Sequence, residues 1–245
     1  MSNSYFKFKQ FTIHQDRCAM KVTTDGCLFG AWIASEDKNE EQELKNVLDI
    51  GTGTGLLGLM YSQKNSHAII DAVEIDSDAY QQAKENIGAS PFSERIHVIN
   101  ADIKKFILTK KYDLIISNPP FYENEIISSN EKKNIAHHDS GLVLEEILDI
   151  IKANLCPDGV FYLLLPFKRN NDIRQYLKER TLFLSKITLV KQSTQHEYFR
   201  MMIKGKMNRE NENETEAVKE LSICDDRQQY TDKFKELLKD YYLSL

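Results

Sequence analysis

The sequence predicts an α/β protein built on a doubly wound, mostly parallel sheet. Strand-like apolar runs alternate five times with helical or loop segments over residues 46–165. The first strand runs into a glycine-rich loop that opens a helix, as in nucleotide-binding folds. A chain of 245 residues, 41% hydrophobic and 28% charged, suits one large globular domain. In this fold class the ligand site lies beyond the carboxyl ends of the strands.

Each element follows from a local pattern of apolar and capping residues. Short apolar runs predict strands at residues 46–50, 68–75, 96–100, 112–117 and 160–165. Helical composition or amphipathic spacing predicts helices at residues 55–63, 77–87 and 142–155, and either Asp76 or Ser77 is placed to cap the second of these. Beyond residue 166 we expect a helix at 170–180, strands at 186–191, 198–205 and 220–223, and a helix at 232–242.

The chain divides into two unequal parts that form a single compact domain. Residues 1–34 are rich in aromatic and basic side chains and form a small N-terminal segment that precedes the alternating elements. Residues 35–245 carry the alternating pattern and predict the main domain. Acidic residues 36–43, the polar stretch 118–139 and the asparagine-rich stretch 208–216 are expected to be loops, the last of them disordered.

Composition excludes several classes of protein. The N-terminus lacks the apolar core of a signal peptide, and no run of apolar residues is long enough to span a membrane, so we expect a cytoplasmic protein. The four cysteines are far apart and show no zinc-ligand spacing, which predicts reduced thiols and no metal site.

Charge is unevenly distributed. The net charge of −5 argues against a polyanionic partner, but residues 166–209 contain eleven Lys or Arg against three Asp or Glu. Such segregation permits a basic face on an acidic protein, and a solvated surface without a partner explains it equally well.

The first chemical motif is VLDIGTGTG at residues 47–55. Its glycines let the backbone turn sharply and approach a ligand, and the following helix offers free N–H groups to it. The motif contains a G-x-G-x-x-G string, so by itself it fits a nicotinamide dinucleotide, S-adenosylmethionine or a structural turn.

Two carboxylates follow the next strands. Glu74 ends the second strand, where it can accept hydrogen bonds from both ribose hydroxyls of either cofactor. Asp102 follows the third strand, where it can bind an adenine amino group or simply cap a turn.

The motif after the fourth strand favours methyl transfer. Asn118, Pro119, Pro120 and Phe121 form a stiff polar corner, because two prolines cannot continue the pairing of the strand. The side-chain oxygen of Asn118 and the carbonyl of Pro119 can accept both hydrogens of an NH₂ group, which would direct its lone pair towards a methyl donor. Phe121 offers a face on which a base can stack.

With these motifs in this order, the chain resembles class I methyltransferases that act on amino nitrogens. A closer likeness lies in FKFKQFTIHQDRCAMKVTTDGCLFGAW, DAVEID, ADI, IISNPPFY and QQYTDKFKELLKDYYL, which are similar to the bacterial valine-tRNA adenine-N6 methyltransferase family. That family modifies the adenosine 3′ of the anticodon, and the resemblance covers nearly the whole chain.

The resemblance implies a seven-stranded sheet with an antiparallel last strand, S-adenosylmethionine as cofactor and tRNA as substrate. It places Asn118, Pro119, Pro120 and Phe121 at the target base. The implied cofactor set is Lys21, Thr24, Asp25, Asp49, Gly51, Thr52, Gly53, Gly55, Glu74, Ile75, Asp102, Ile103 and Asn118. The resemblance also implies that residues 1–34 form a small N-terminal cap that contacts substrate. We also expect a monomer without metal or membrane partner.

Other activities remain open at this point. The same motifs occur in rRNA guanine-N2 methyltransferases and in glutamine methyltransferases of release factors. A nicotinamide-dependent oxidoreductase or a non-catalytic RNA-binding module is a further alternative. His137 and His138 are either substrate contacts or solvated loop residues, and Trp32 is expected to serve packing.

Overall fold

The computed structural model describes residues 3–36, 46–119, 142–208 and 215–245. It contains an eight-stranded sheet and a two-stranded N-terminal hairpin, flanked by helices. The strands are β1 (Tyr5–Lys7), β2 (Thr12–His14), β3 (Asn46–Ile50), β4 (Ile69–Glu74), β5 (Ile96–Asn100), β6 (Tyr112–Ser117), β7 (Leu155–Pro166), β8 (Phe183–Ser193), β9 (Tyr198–Lys206) and β10 (Ala217–Cys224). The helices are α1 (Thr24–Glu36), α2 (Leu56–Lys64), α3 (Ser77–Gly88), α4 (Leu144–Asn154), α5 (Asn170–Glu179) and α6 (Asp232–Leu238), with short 3₁₀ turns at Ser93–Arg95 and Phe167–Arg169.

The large sheet confirms the predicted fold class. Its strand order is β10-β8-β9-β7-β6-β3-β4-β5, and β9 alone runs antiparallel to its neighbours. The implied count of seven strands was wrong, because β10 adds an eighth by pairing in parallel with β8. The short strand predicted at residues 220–223 is the centre of β10, and the open edge of β8 lets it extend in both directions.

Helices cover both faces of the sheet and create two apolar layers. Helices α1, α2, α3 and α6 share one buried cluster with the sheet, and α4 and α5 share the other. Buried strands such as β3 and β6 are apolar on both faces, as expected of a parallel sheet between two helical layers.

Helix α1 belongs to the core rather than to a loop. All residues from Gly26 to Ala34 are buried, so the segment has no polar face and no amphipathic period. Trp32 is 4% exposed and packs its ring edge-on against Tyr162 of β7, which confirms its packing role. Gly30 lets α1 approach α2, since a Cβ there would lie 2.7 Å from the sulfur of Met60.

The differences from the sequence prediction include the start of β7, the N-terminal hairpin and the end of α6. Strand β7 begins at Leu155, which was predicted as the last residue of the preceding helix, whereas the strand was predicted at residues 160–165. The difference arises because Leu155 pairs with Tyr112, and a register shift before Leu114 accommodates the intervening residues. The hairpin β1–β2 was not predicted, since its strands are only three residues long. Helix α6 ends at Leu238, and the N–H groups of Tyr241 and Tyr242 both turn back to its carbonyl.

The hairpin lies beside the C-terminal residues. The N–H of Lys9 donates to the carbonyl of Tyr241 at 2.8 Å, and the hydroxyl of Tyr241 donates to the carbonyl of Met60 at 3.0 Å.

Within the described residues, none of the helices combines the length and the apolar character needed to cross a bilayer.

Candidate active site

The topology brings the predicted motifs to one edge of the sheet. Strand β3 lies between β6 and β4, and all three are parallel, so their carboxyl ends meet at the same edge. The glycine loop after β3 therefore lies between Glu74 at the end of β4 and Asn118 just after β6. The hydroxyl of Ser117 donates to the carbonyl of Ile50 at 2.8 Å and fixes the two strand ends together.

Three glycines of the loop need a left-handed backbone. Gly51, Gly53 and Gly55 have φ values of 70°, 57° and 85°, which only glycine adopts without strain. A Cβ on Gly55 would meet the side chain of Ile87 at 3.1 Å, so this glycine packs the loop onto α3. A Cβ on Gly51 or Gly53 would meet nothing within 4 Å, which leaves this side of the loop open for a ligand.

The Glu74 carboxylate holds the glycine loop in place through hydrogen bonds. One oxygen accepts the N–H of Gly53 at 2.8 Å and the other accepts the N–H of Asp76 at 2.9 Å. Asp76 in turn caps α3 by accepting the N–H of Ala79 at 2.8 Å, which confirms the predicted cap. Each carboxylate oxygen of Glu74 has a further lone pair, and the neighbouring Ile75 is 52% exposed.

Asp49 is fully buried and contacts the same loop. Its side chain is 0% exposed, and one oxygen accepts the hydroxyl of Thr52 at 2.6 Å. The other oxygen, Oδ1, has no hydrogen-bond partner. Burial raises the pKa of Asp49 to about 7, although the hydrogen bond from Thr52 lowers it. Asp49 therefore contacts the loop and not the open space above it.

Asp102 forms the turn after β5. Its carboxylate accepts the N–H of Lys104 at 3.0 Å and lies 3.4 Å from the ammonium of Lys105. Ile103 packs partly against the apolar layer under α4 and α5. The turn stands at the edge that also carries Glu74, and the N–H of Ala101 donates to the carbonyl of Glu74 at 3.0 Å.

The N-terminal segment reaches Asn118. A Cβ on Gly26 would lie 3.9 Å from the amide nitrogen of Asn118 and 3.1 Å from the hydroxyl of Thr23. Pro119 is buried behind Asn118. Pro120, Phe121, His137 and His138 lie outside the described residues, as do most of the predicted loops at 36–43, 118–139 and 208–216.

The three predicted N-terminal cofactor residues occupy different settings. Lys21 and Thr24 are exposed, and Thr24 begins α1. The Asp25 carboxylate accepts a hydrogen bond from Nε of Arg200 at 2.8 Å, which ties the start of α1 to β9. Sequence reasoning missed Arg200 as a site neighbour, and nothing in the local sequence around either residue indicates their pairing.

Ion pairs neutralise much of the basic stretch at residues 166–209. Five of its cations have carboxylate partners within the described part of the chain: Arg169, Arg174, Arg180, Lys186 and Arg200. Four of these cations pair with carboxylates outside the stretch, so part of the positive charge seen in the sequence is neutralised by other segments.

The described cysteines are free thiols, two of them buried, as predicted. Burial and the nearby Glu74 raise the pKa of the Cys18 thiol to about 11, and burial raises that of Cys27 to about 12. Among the described residues, no group of three or more His, Cys, Asp or Glu could hold a metal ion.

Comparisons with known proteins agree with this geometry. The model of the methyltransferase small domain family matches residues 36–179. A tRNA1(Val) (adenine(37)-N6)-methyltransferase of Dyadobacter fermentans is 41% identical over 98% of both chains. The chain belongs to this family of methyltransferases. A second member, from Christiangramia forsetii, is 39% identical over the full length of both chains. The crystal structure of a predicted O-methyltransferase from Agrobacterium tumefaciens has the same fold, with a TM-score of 0.63, 14% identity and coverage of 88% of this chain and 96% of its own.

Proposed function

We propose that this enzyme transfers the methyl group of S-adenosylmethionine to N6 of an adenosine in tRNA, and that the target is adenosine 37 of a valine tRNA. The full-length identity of 41% to a relative with that named activity carries the proposal. The site supports it, because Asn118 stands beside a glycine loop whose outer side is open.

The residues around the loop fit the cofactor. The open positions at Gly51 and Gly53 leave room for its methionine part, and the free lone pairs of Glu74 suit the two ribose hydroxyls. Ile75 would lie along the adenine, with Asp102 and Ile103 at its edge. Asp49 would act indirectly, by holding Thr52 and so the shape of the loop.

Asn118 and Pro119 would bind the target amine. The side-chain oxygen of Asn118 and the carbonyl oxygen of Pro119 would each accept a hydrogen bond from the target NH₂ group. The nitrogen lone pair would then turn out of the ring plane and towards the methyl group. S-adenosylmethionine supplies an electrophilic methyl carbon on a sulfonium, which is a good leaving group. One C–N bond forms as the C–S bond breaks, and the nitrogen then loses a proton to solvent. No strong base is needed near Asn118.

Pro120 and Phe121 would complete the base site. Pro120 would keep the corner rigid, and Phe121 would stack on the target ring, a contact worth about 1 to 3 kcal/mol. The adenosine must leave its stack to reach them, at a cost of a few kcal/mol.

Residues 1–34 would serve as a cap on the domain formed by residues 35–245. Lys21, Thr24 and Asp25 lie at the part of this segment that approaches Asn118, and they would close over the cofactor and base. A tRNA substrate implies a cytoplasmic enzyme, and we expect it to act as a monomer.

The test is single-turnover methylation of unmodified valine tRNA with labelled S-adenosylmethionine. We expect label at N6 of adenosine 37 with the wild type. Asn118→Ala should abolish transfer while the cofactor Kd changes less than about threefold, since Asn118 contacts mainly the base. Asn154→Ala, which removes an amide bonded to the carbonyl of Ile150 at the end of α4, is the matched control.

In parallel assays with rRNA or a release factor as acceptor, label on a guanine or on a release-factor glutamine, with none on valine tRNA, would reassign the substrate. Tight binding of NADH without binding of S-adenosylmethionine would refute the cofactor, and cofactor binding without any transfer would favour a non-catalytic module.

A further inference from the structure

Two buried carboxamides connect the glycine loop to the segment that contacts Asn118. The first is Asn86 of α3, which is 2% exposed. Its amide nitrogen donates to the carbonyls of Thr54 and His14, both at 2.9 Å. Its oxygen accepts the N–H of His14, also at 2.9 Å. Asn86 thus pairs with both backbone groups of His14, as a neighbouring strand would, and holds the loop at Thr54 as well.

The second carboxamide is Gln15, the next residue of the hairpin. It is 5% exposed, its oxygen accepts the N–H of Val22 at 2.8 Å, and its nitrogen donates to the carbonyl of Asn3 at 3.0 Å. The side chain of Gln15 therefore fixes the chain seven residues further on, immediately before the turn that leads into α1.

That turn ends at the proposed base site. The hydroxyl of Thr23 accepts the N–H of Gly26 at 3.2 Å, and its carbonyl accepts the N–H of Cys27 at 3.0 Å. Gly26 lies near Asn118, since a Cβ on Gly26 would be in ordinary van der Waals contact with the Asn118 amide nitrogen, at 3.9 Å. A series of hydrogen bonds and short backbone steps thus runs from Thr54 to Gly26, which lies beside Asn118.

We propose that Asn86 and Gln15 are positioning residues for methyl transfer. They set the distance between the glycine loop, which holds the methyl donor, and residues 22–26, which form the wall of the base site beside Asn118. This inference rests on the proposed function in one respect, namely that Asn118 holds the target amine. Neither carboxamide touches the cofactor or the base.

Neutral amides suit this task for a physical reason. Each carboxamide offers donors and an acceptor in fixed directions, so a shift of the hairpin by one residue would leave buried polar groups without partners. The exposed ion pair between Arg17 and Glu85, on the same two elements, is screened by salt and specifies position weakly. Buried hydrogen bonds in low dielectric retain their strength.

Gln15→Met tests the proposal, because methionine preserves volume but donates and accepts nothing at that position. We expect the cofactor Kd to stay within about threefold of wild type. The rate constant of methyl transfer per cofactor-binding site should fall about tenfold, the equivalent of about 1.4 kcal/mol. Hydrogen exchange at the amides of residues 22–27 in the cofactor-free protein should accelerate by a similar factor, while exchange in β3 and β6 stays unchanged.

Two further variants separate positioning from general stability. Gln15→Glu retains an acceptor for the N–H of Val22 but loses the donor to the carbonyl of Asn3, so it should restore part of the protection of residues 22–27 and part of the rate. Tyr112→Phe removes a buried hydrogen bond to Asp71, 2.8 Å long and remote from the hairpin, and should lower the melting temperature without changing the rate per site.

The proposal is overturned if Gln15→Met lowers only the melting temperature, with wild-type rate and wild-type exchange at residues 22–27. If Gln15→Met does not fold, Gln15→Glu is compared with Asn86→Leu, which lacks the bonds between α3 and the hairpin. The proposal is then overturned if residues 22–27 exchange as fast in Gln15→Glu as in Asn86→Leu. Failure of the wild type to methylate tRNA would refute the proposed function, whereas the exchange data would still decide the positioning role.

Discussion

The buried carboxylate of Asp49 makes a strong prediction about pH. Its pKa rises from 3.8 in the unfolded chain to about 7 in the folded protein, because burial penalises the charged form. Between these values the folded protein binds a proton that the unfolded chain has lost. Folding stability therefore falls as the pH rises from about 4 to 7, and then becomes level.

The size of this effect follows from the pKa change. A rise of the Asp49 pKa from 3.8 to about 7 corresponds to a total loss of about 4 kcal/mol in the free energy of unfolding as the pH rises. About 2 to 3 kcal/mol of this loss occurs between pH 5 and pH 8. Asp49→Asn removes the titration. The asparagine carries its own cost of about 1 to 3 kcal/mol for an unpartnered amide, but that cost does not depend on pH.

Urea unfolding of the cofactor-free protein at several pH values gives the measurement. From pH 5 to pH 8 the wild type should lose about 2 to 3 kcal/mol relative to Asp49→Asn, or about 1 M in the urea midpoint. Thr52→Val should extend the fall in stability to higher pH, since the hydroxyl of Thr52 lowers the pKa of Asp49 by stabilising its charged form. Parallel curves for wild type and Asp49→Asn would refute the assignment of a protonated Asp49 below pH 7.

Three further predictions concern the loop and the sheet. Glu74→Ala should weaken cofactor binding at least tenfold in calorimetry, because the N–H groups of Gly53 and Asp76 lose their acceptor; an unchanged Kd would exclude Glu74 from the cofactor site. Gly53→Ala should lower the free energy of unfolding by about 1 to 2 kcal/mol, because the φ of Gly53 is 57°. It should also raise the cofactor Kd by more than Gly88→Ala, the control, since Gly88 has equally open surroundings but an ordinary backbone conformation. Gly205→Ala should destabilise the protein by about 1 to 3 kcal/mol in thermal unfolding, since its Cβ would lie 2.2 Å from the buried ring of Phe161; an unaltered melting temperature would contradict this packing.

The sequence predicted those parts of the molecule that depend on local chemistry. The glycines with positive φ, the capping aspartate at residue 76 and the strands that end at Glu74 and Ser117 are each visible over a few residues. The rule that parallel strands present their carboxyl ends together then suffices to gather these motifs at one edge.

Features that depend on distant partners could not be predicted in this way. Helix α1 is buried on every side, so it lacks the period that identifies a surface helix. Strand β7 extends back to Leu155 only because Tyr112 is there to pair with it. The bond from Arg200 to Asp25 joins residues 175 positions apart, and no local pattern relates them.

The contact between Lys9 and Tyr241 has a consequence for biosynthesis. A ribosome makes residue 9 long before residue 241, so the hydrogen bond between Lys9 and Tyr241 cannot form until translation is nearly complete. The nascent chain can form the bonds between His14 and Asn86 once α3 has folded, but the bond between Lys9 and Tyr241 can form only after the C-terminal residues emerge. A truncated product that ends before Tyr241 would keep the bonds between His14 and Asn86 but lack the one from Lys9, so its hairpin should be held less firmly than in the full chain.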